Sequence, residues 1–353
     1  MYEEVILDAT PIQKDTFPMT PSIQARIPAS ETEFVDIPET QLKVSRVALG
    51  TWPLGGREGI DIPGSIATIR AALDQGINLI DTAPVYGFGL AERILGVALE
   101  GRRTQAVIAT KTGLEWNDGK VYRNATRTRI MRELDDSLRR LRTDYIDIYQ
   151  VHWPDPLTPV EETAEVMRML YEQGRIRAIG VSNFSVAEID RFRRVAPLHV
   201  VHSPYNLFER TAEAELLPYC QGNDIVTFGA SALCRGLLGG RMQPATTFKA
   251  GDLRCIDPKF QPPHFAQYHN AVRQLDEFAQ RRFRRRVVHL AVRWMLDQGI
   301  SVALLGSRHP AQVEAAFGVA GWSLNNTDRM LIEEILKTAI VEPVDPEFIP
   351  LTA

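Results

Sequence analysis

At the ends of successive short apolar runs in this 353-residue chain stand side chains that could do chemistry: Asp81, Lys111, His152, Ser182 with Asn183, His202, Ser231, and Gly306-Ser307-Arg308. Tyr86 follows five residues after Asp81. A carboxylate, an ammonium, a phenol and imidazoles take up and release protons, so acid–base work on a bound substrate is open to this set. Holding so many ionisable or polar groups at equivalent, partly buried positions is costly unless they serve a site.

The elements that must position them alternate. Runs over 47–49, 79–81, 107–111, 146–152, 178–182, 200–203, 226–231 and 301–305 are rich in β-branched residues or continuously apolar, as parallel strands covered on both faces are. Amphipathic stretches lie between them. One carries Val160, Ala164, Met167 and Tyr171 on its apolar face, with Thr158 as expected N-cap, Pro159 in the first turn and Glu161 completing a capping box. A joint recurs as Asp74-Gln75-Gly76, Glu172-Gln173-Gly174 and Asp297-Gln298-Gly299, each predicting a helix ended by a left-handed glycine before a strand.

Eight strands separated by helices predict an α/β fold, a closed (β/α)8 TIM barrel over residues 34–353. An open doubly wound sheet would want G-x-G-x-x-G after its first strand, where Gly50-Thr51-Trp52-Pro53 stands instead. In such a barrel the active site lies at the C-terminal ends of the strands. Residues 1–33, with prolines at 11, 18, 21 and 28, read as an irregular N-terminal arm.

A net charge of −4 gives no reason to expect nucleic acid or an anionic membrane as partner. The run Arg281-Arg282-Phe283-Arg284-Arg285-Arg286 reads as a solvated helix face. Cys220, Cys234 and Cys255 have neither paired nor metal-ligand spacing, which suits a reducing compartment. No apolar run approaches the roughly 18 residues of a membrane span, and the acidic start Met1-Tyr2-Glu3-Glu4 does not resemble a signal peptide. These features predict a cytoplasmic protein, monomeric or homo-oligomeric.

The segment Asn78-Leu79-Ile80-Asp81-Thr82-Ala83-Pro84-Val85-Tyr86-Gly87 resembles the signature of the aldo-keto reductase superfamily. Ala109-Thr110-Lys111, Ile148-Tyr149-Gln150-Val151-His152-Trp153-Pro154, Ile179-Gly180-Val181-Ser182-Asn183-Phe184 and Tyr205-Asn206-Leu207 follow in family order, so the resemblance covers about residues 40 to 340. It implies reversible reduction of an aldehyde or ketone to an alcohol with NADP(H), NAD(H) remaining open, and a catalytic tetrad of Asp81, Tyr86, Lys111 and His152. Hydride addition leaves an alkoxide that needs a proton. A free phenol, with a pKa of about 10, releases one slowly at neutral pH. On this resemblance Tyr86 is the donor, the Lys111 ammonium lowers its pKa, Asp81 holds Lys111, and His152 orients the carbonyl.

The same carry-over puts Ser182, Asn183 and His202 on the nicotinamide carboxamide, His202 standing where the family usually has glutamine. Gly50, Thr51, Trp52 and Asp81 would line the nicotinamide end, and the stretch Ser231, Leu233, Arg235, Gly236 would offer amides to the pyrophosphate. Gly306, Ser307, Arg308 and Gln312 would meet the adenosine end, with Arg308 gripping a 2′-phosphate and so favouring NADPH. Two departures stand out. Ala230 replaces the ring that usually stacks on nicotinamide, with Phe228 on the same strand face as a partial substitute, and Ala315-Ala316 replace a usual Glu-Asn pair at the adenine.

Trp52, Tyr86, Trp116, His152 and Trp153, with residues 237–263 as a movable wall, are expected to form the substrate pocket and to favour an apolar or ring-bearing carbonyl. A regulatory or redox-sensing subunit that keeps the fold and cofactor is the alternative. A barrel aldolase or isomerase using Lys111 as a Schiff base leaves Tyr86, Asn183 and Arg308 unexplained.

Overall fold

The computed structural model describes residues 32–55, 60–313 and 318–344. The chain enters through a hairpin, β1 (Phe34–Asp36) and β2 (Lys43–Ser45), and continues into β3 (Val47–Gly50), β4 (Leu79–Asp81) and β5 (Val107–Thr112). A second hairpin, β6 (Leu114–Asn117) and β7 (Lys120–Arg123), follows. Then come β8 (Ile146–Val151), β9 (Ile176–Ser182), β10 (Val200–Pro204), β11 (Val226–Ala230) and β12 (Val302–Gly306). The two hairpins stand apart, and the other eight strands close an all-parallel barrel in which β12 pairs back onto β3, from Ala303 with Val47 to Gly306 with Gly50.

Among the described residues eight helices lie between these strands, α1 (Ile62–Asp74), α2 (Leu90–Ala98), α3 (Arg127–Leu141), α4 (Val160–Glu172), α5 (Val186–Arg193), α6 (Leu216–Gly222), α7 (His264–Phe283) and α8 (Val287–Asp297), and α9 (Pro310–Val313) and α10 (Asn326–Ala339) follow β12. The eight expected strands are all present, with ends that differ by at most two residues.

Strand alternation divides the apolar residues between two cores. Ala48, Leu79, Ala109, Ile148, Ala178, Val200, Phe228 and Val302 face inward, and Ile37, Leu42 and Val44 of the first hairpin pack beneath them. Leu49, Ile80, Ile108, Tyr149 and Ile179 face outward against the helices. Small inward residues on β3, β5 and β9 leave room for the larger ones, so the barrel interior is filled. Of the expected arm, Thr32 and Glu33 are described: Thr32 Oγ1 donates to Gln75 O, and Glu33 pairs with Arg46 and Arg293. The rest of that expectation, residues 1–31, lies outside the described residues.

Two local expectations are corrected. Thr158 does not cap α4; its hydroxyl donates to Asp155 Oδ2 at 2.7 Å, and Pro159 occupies the N-cap without a side-chain cap. Asp155, which also accepts from Ala125 N, thus diverts the threonine. The basic run is not one helix face. α7 ends at Phe283, Arg284 turns left-handed at φ 57°, and Arg286 pairs with Asp276 while Arg282 pairs with Asp328. The glycine joints do adopt positive φ, 86° at Gly76, 70° at Gly174 and 101° at Gly299.

A Cβ on Gly174 would meet nothing within 4 Å, so its cost is conformational rather than steric. Gly174→Ala is expected to lower stability by about 1–2 kcal/mol in denaturant unfolding, and an unchanged midpoint would show that this joint tolerates a side chain.

Candidate active site

Lys111 faces inward because it alternates with Thr110 and Thr112 on β5, and it is fully buried. Its Nζ donates to Asp81 Oδ2 at 2.7 Å, Asp81 Oδ1 at 2.8 Å and Thr82 O at 2.9 Å, and lies 3.4 Å from Tyr86 Oη. The Tyr86 and His152 rings stand edge to face, 6.1 Å between centroids. The expected four side chains therefore converge at the C-terminal ends of β4, β5 and β8.

Tyr86 owes its place to a tight turn and a close backbone approach. Its N–H donates to Ala83 O, and its own carbonyl accepts from Ala91 N. The chain after β3 packs directly on it: a Cβ on Gly55 would come within 2.6 Å of the Tyr86 carbonyl carbon. Gly87, at φ 61°, would clash with Gly55 O at 2.3 Å if it carried one. Only glycine at both positions permits this contact.

Electrostatics separate the roles. Burial alone would lower the Lys111 ammonium, but Asp81 and then Tyr86 outweigh it and raise the group above its ordinary value. Burial pushes the Asp81 carboxyl up, against the Lys111 ammonium that pulls it down. With Nζ spanning both oxygens, the geometry decides for an ionised pair. Burial also raises the Tyr86 phenol, and the lowering by Lys111 does not overcome it. Lys111 does lower the phenol, as expected, but desolvation of a phenolate costs more than this one neighbouring cation returns. His152 is held well below the usual imidazole range by burial first, then by Lys111 and His202. It is neutral.

Gln150, not singled out in the sequence, belongs here too: its Nε2 donates to Asp81 Oδ1 at 3.3 Å. The signal was available, because a polar side chain two residues before His152 shares its inward face.

Ser182, Asn183 and His202 also come together. Asn183, at φ 61°, donates through Nδ2 to Ser182 Oγ at 3.0 Å and His152 O at 3.1 Å, and its backbone N–H donates to His202 O at 3.3 Å. Buried His202 lies beside Ser182 in the β9–β10 register, with Nδ1 4.0 Å from Asp81 Oδ1 and no hydrogen-bond partner among the described residues. Thr51 Oγ1 is likewise buried and unpartnered, while Thr51 N donates to Asp81 O. Orphaned polar atoms at a mouth of this shape fit a planar amide such as that of nicotinamide. A Cβ on Gly306 would lie 2.8 Å from Pro53 Cγ, so the loop after β3 reaches the end of β12 only across a glycine.

Beyond β11, Ser231, Cys234, Arg235 and Gly236 all have positive φ, the backbone of a concave anion nest. Part of that expectation is corrected. The amides of Cys234 and Gly236 close the turn on Ser231 O and Leu233 O, Leu233 packs against the outer core, and the Arg235 side chain turns to Glu209 at 3.0 Å and Asp257 at 2.6 Å. Lys259, fully buried, completes this group through Glu209 at 3.0 Å. The segment expected to be a movable wall is therefore pinned by buried charge at 257–259.

Gln312 Oε1 accepts from Arg308 N at 2.7 Å, the Arg308 side chain is exposed at the end of β12, and Ser307 is buried. Phe228 does not replace the missing ring. It is fully buried inside the barrel, 6.5 Å from the His202 ring, whereas Ala230 is half-buried at the strand end. Ala315 and Ala316 lie outside the described residues.

The aromatic rim is uneven. Trp52 is 56% exposed. Trp116 stands on β6, not at a barrel-strand end, with its ring 5.5 Å from that of Phe88. Trp153 follows His152, with the Arg123 guanidinium 4.8 Å over its ring. A separate groove of about 610 Å³ lies between α1, α2 and α3, and none of the strand-end residues lines it.

Comparison with known proteins agrees with this architecture. The model of the Aldo/keto reductase family matches residues 46–337. The aldo-keto reductase YhdN of Bacillus subtilis (strain 168) is 55% identical over 321 residues, 90% of this chain and 97% of its own. The NADH-specific methylglyoxal reductase of Escherichia coli (strain K12) is 34% identical over 315 residues, 84% of this chain and 96% of its own. The solved glycerol dehydrogenase AKR11B4 from Gluconobacter oxydans matches with a TM-score of 0.84 at 47% identity, covering 90% of this chain and 99% of that one. Barrel, converging side chains and sequence likeness lead to one conclusion: the chain belongs to the aldo/keto reductase family.

Proposed function

We propose that this oxidoreductase reversibly reduces aldehydes and ketones to alcohols, using NADPH in preference to NADH. The carrying observation is the Lys111 ammonium, bonded to Asp81 at 2.7 Å and lying 3.4 Å from the Tyr86 hydroxyl beside a neutral His152. When bound, the cofactor would supply a hydride to the carbonyl carbon. Ser182, Asn183 and His202 would hold its carboxamide, and residues 306–308 with the backbone of 231–236 not closed on its own turn would take its phosphates.

Tyr86 gives its Oη proton to the carbonyl oxygen as charge develops there. A raised phenol pKa keeps that proton in place until an alkoxide, a stronger base than phenolate, calls for it. Lys111 stays charged and stabilises the phenolate left behind, which is why Asp81 must hold it. The neutral His152 ring donates a hydrogen bond to the same oxygen and so fixes the carbonyl face. In the oxidative direction the Tyr86 phenolate is the base.

The tryptophans support an apolar or ring-bearing carbonyl, and the names of two relatives add methylglyoxal and glycerol as candidates. Three free thiols support a cytoplasmic setting, where thiols stay reduced. The Escherichia coli relative keeps NADH as a second cofactor to test. The preference for NADPH rests on Arg308 at the rim.

Steady-state assays over a panel of aromatic, aliphatic and dicarbonyl substrates test the reading. Tyr86→Phe is expected to lower kcat by about 10²- to 10⁴-fold with folding retained. Wild-type turnover no higher than this variant's on every substrate would end the proposal, and tight nucleotide retention without turnover would favour a regulatory subunit. Because the His152 pKa lies well below 6.5, reduction should show no His152-dependent loss as pH falls through that value; a limb there that vanishes in His152→Gln would contradict the neutral ring. Arg308→Ala is expected to weaken NADPH binding by about tenfold and leave NADH unchanged, as titrated by fluorescence.

A further inference from the structure

The strand that presents Lys111 is gripped from behind by two carboxylates that the proposed reaction does not use. Thr110 and Thr112, flanking Lys111 on β5, point outward toward the helices. Thr110 Oγ1 donates to Glu92 Oε1 of α2 at 2.7 Å. Thr112 Oγ1 and Gly113 N both donate to Glu133 Oε2 of α3, each at 3.0 Å. Each glutamate is held in turn by an arginine of α3: Arg140 Nε lies 2.6 Å from Glu92 Oε2, and Arg129 lies 2.6 Å from Glu133 Oε1.

Both carboxylates are buried, Glu92 at 0% and Glu133 at 1% exposure. Burial pushes the Glu133 carboxyl up to about 7, against Arg129, Thr112 and Gly113, which lower it. Hydrocarbon at these positions would seal helix to barrel at no desolvation cost, so stability alone is a weak reason for such pairs. What they add is direction. A carboxylate oxygen accepting two hydrogen bonds fixes where Thr112 and Gly113 sit, at the point where β5 leaves the barrel and Gly113 turns at φ 90°.

That point matters because the Lys111–Tyr86 distance of 3.4 Å is already at the outer limit of a hydrogen bond. A few tenths of an ångström of drift at the end of β5 would separate the ammonium from the phenol. Drift of about 1 Å at a catalytic group costs on the order of 100-fold.

We propose that Glu133, together with Glu92, is a positioning residue: through Thr112 and Thr110 the two carboxylates lock the end of β5 so that Lys111 Nζ stays within reach of Tyr86 Oη. This inference rests on the catalytic reading of Tyr86 and Lys111. It assigns a role in turnover to groups on the outer face of the barrel wall that touch neither substrate nor cofactor.

The test uses the full chain at pH 8, above the Glu133 value, with the carbonyl that the wild type reduces best. Thr112→Val keeps the shape and removes the donor. It is expected to lower kcat by about tenfold, with the carbonyl KM and cofactor Kd little changed. The acid-side limb of the pH profile for alcohol oxidation, where activity rises as Tyr86 ionises, should move up by about one pH unit as the ammonium loosens. Thr112→Ser should restore both. Wild-type kcat and pH profile in Thr112→Val would overturn the inference. So would a loss of kcat that only tracks a lower Tm, with the pH limb unmoved. Should Thr112→Val fail to fold, Glu133→Gln carries the same readouts. A wild type with no Tyr86-dependent turnover would instead overturn the catalytic reading beneath it.

Discussion

The Lys111–Asp81 pair sets the terms for the rest of the molecule. An ammonium inside a barrel is tolerable only with a carboxylate across from it, and that carboxylate must in turn be satisfied. Gln150 and the Thr82 carbonyl supply the remaining contacts. Three strands, β4, β5 and β8, must therefore end at the same height for the charges to meet. The small inward residues below them, Ala48, Ala109 and Ala178 among them, let the interior pack closely enough to fix that height.

Around this pair the site is built from contrasts in burial. One cation is kept charged, one phenol is kept protonated, and two imidazoles are kept neutral, each by how much water reaches it and what charge lies next to it. The phenol shows two opposed effects on one group. The family resemblance implied Lys111 beside Tyr86, and the structure puts it there with the expected lowering, but the loss of solvent around the ring outweighs it.

Much of the barrel was legible because its information is periodic. Apolar runs marked the eight strands, and the glycine joints marked three helix ends. Asp81, Lys111 and His152 stood out as polar groups closing apolar runs, and the family resemblance added Tyr86 and picked these four from the longer polar set. What stayed hidden depends on distant partners. Thr158 looks like a cap until Asp155 claims its hydroxyl. Nothing near Arg235 in the sequence shows that its side chain is tied to Glu209 and Asp257. Phe228 shares its strand face with Ala230, yet it sits two residues deeper, packed in the inner core beside His202, a depth that alternation does not encode.

The hairpin of β1 and β2 has a consequence for traffic. With Ile37, Leu42 and Val44 it stoppers the end of the barrel opposite the reacting groups, and the packed interior leaves no corridor between the two ends. Among the described residues, the vessel opens at its strand-end mouth. On the proposed reading, two visitors must come and go by that one side, so the same rim has to serve both.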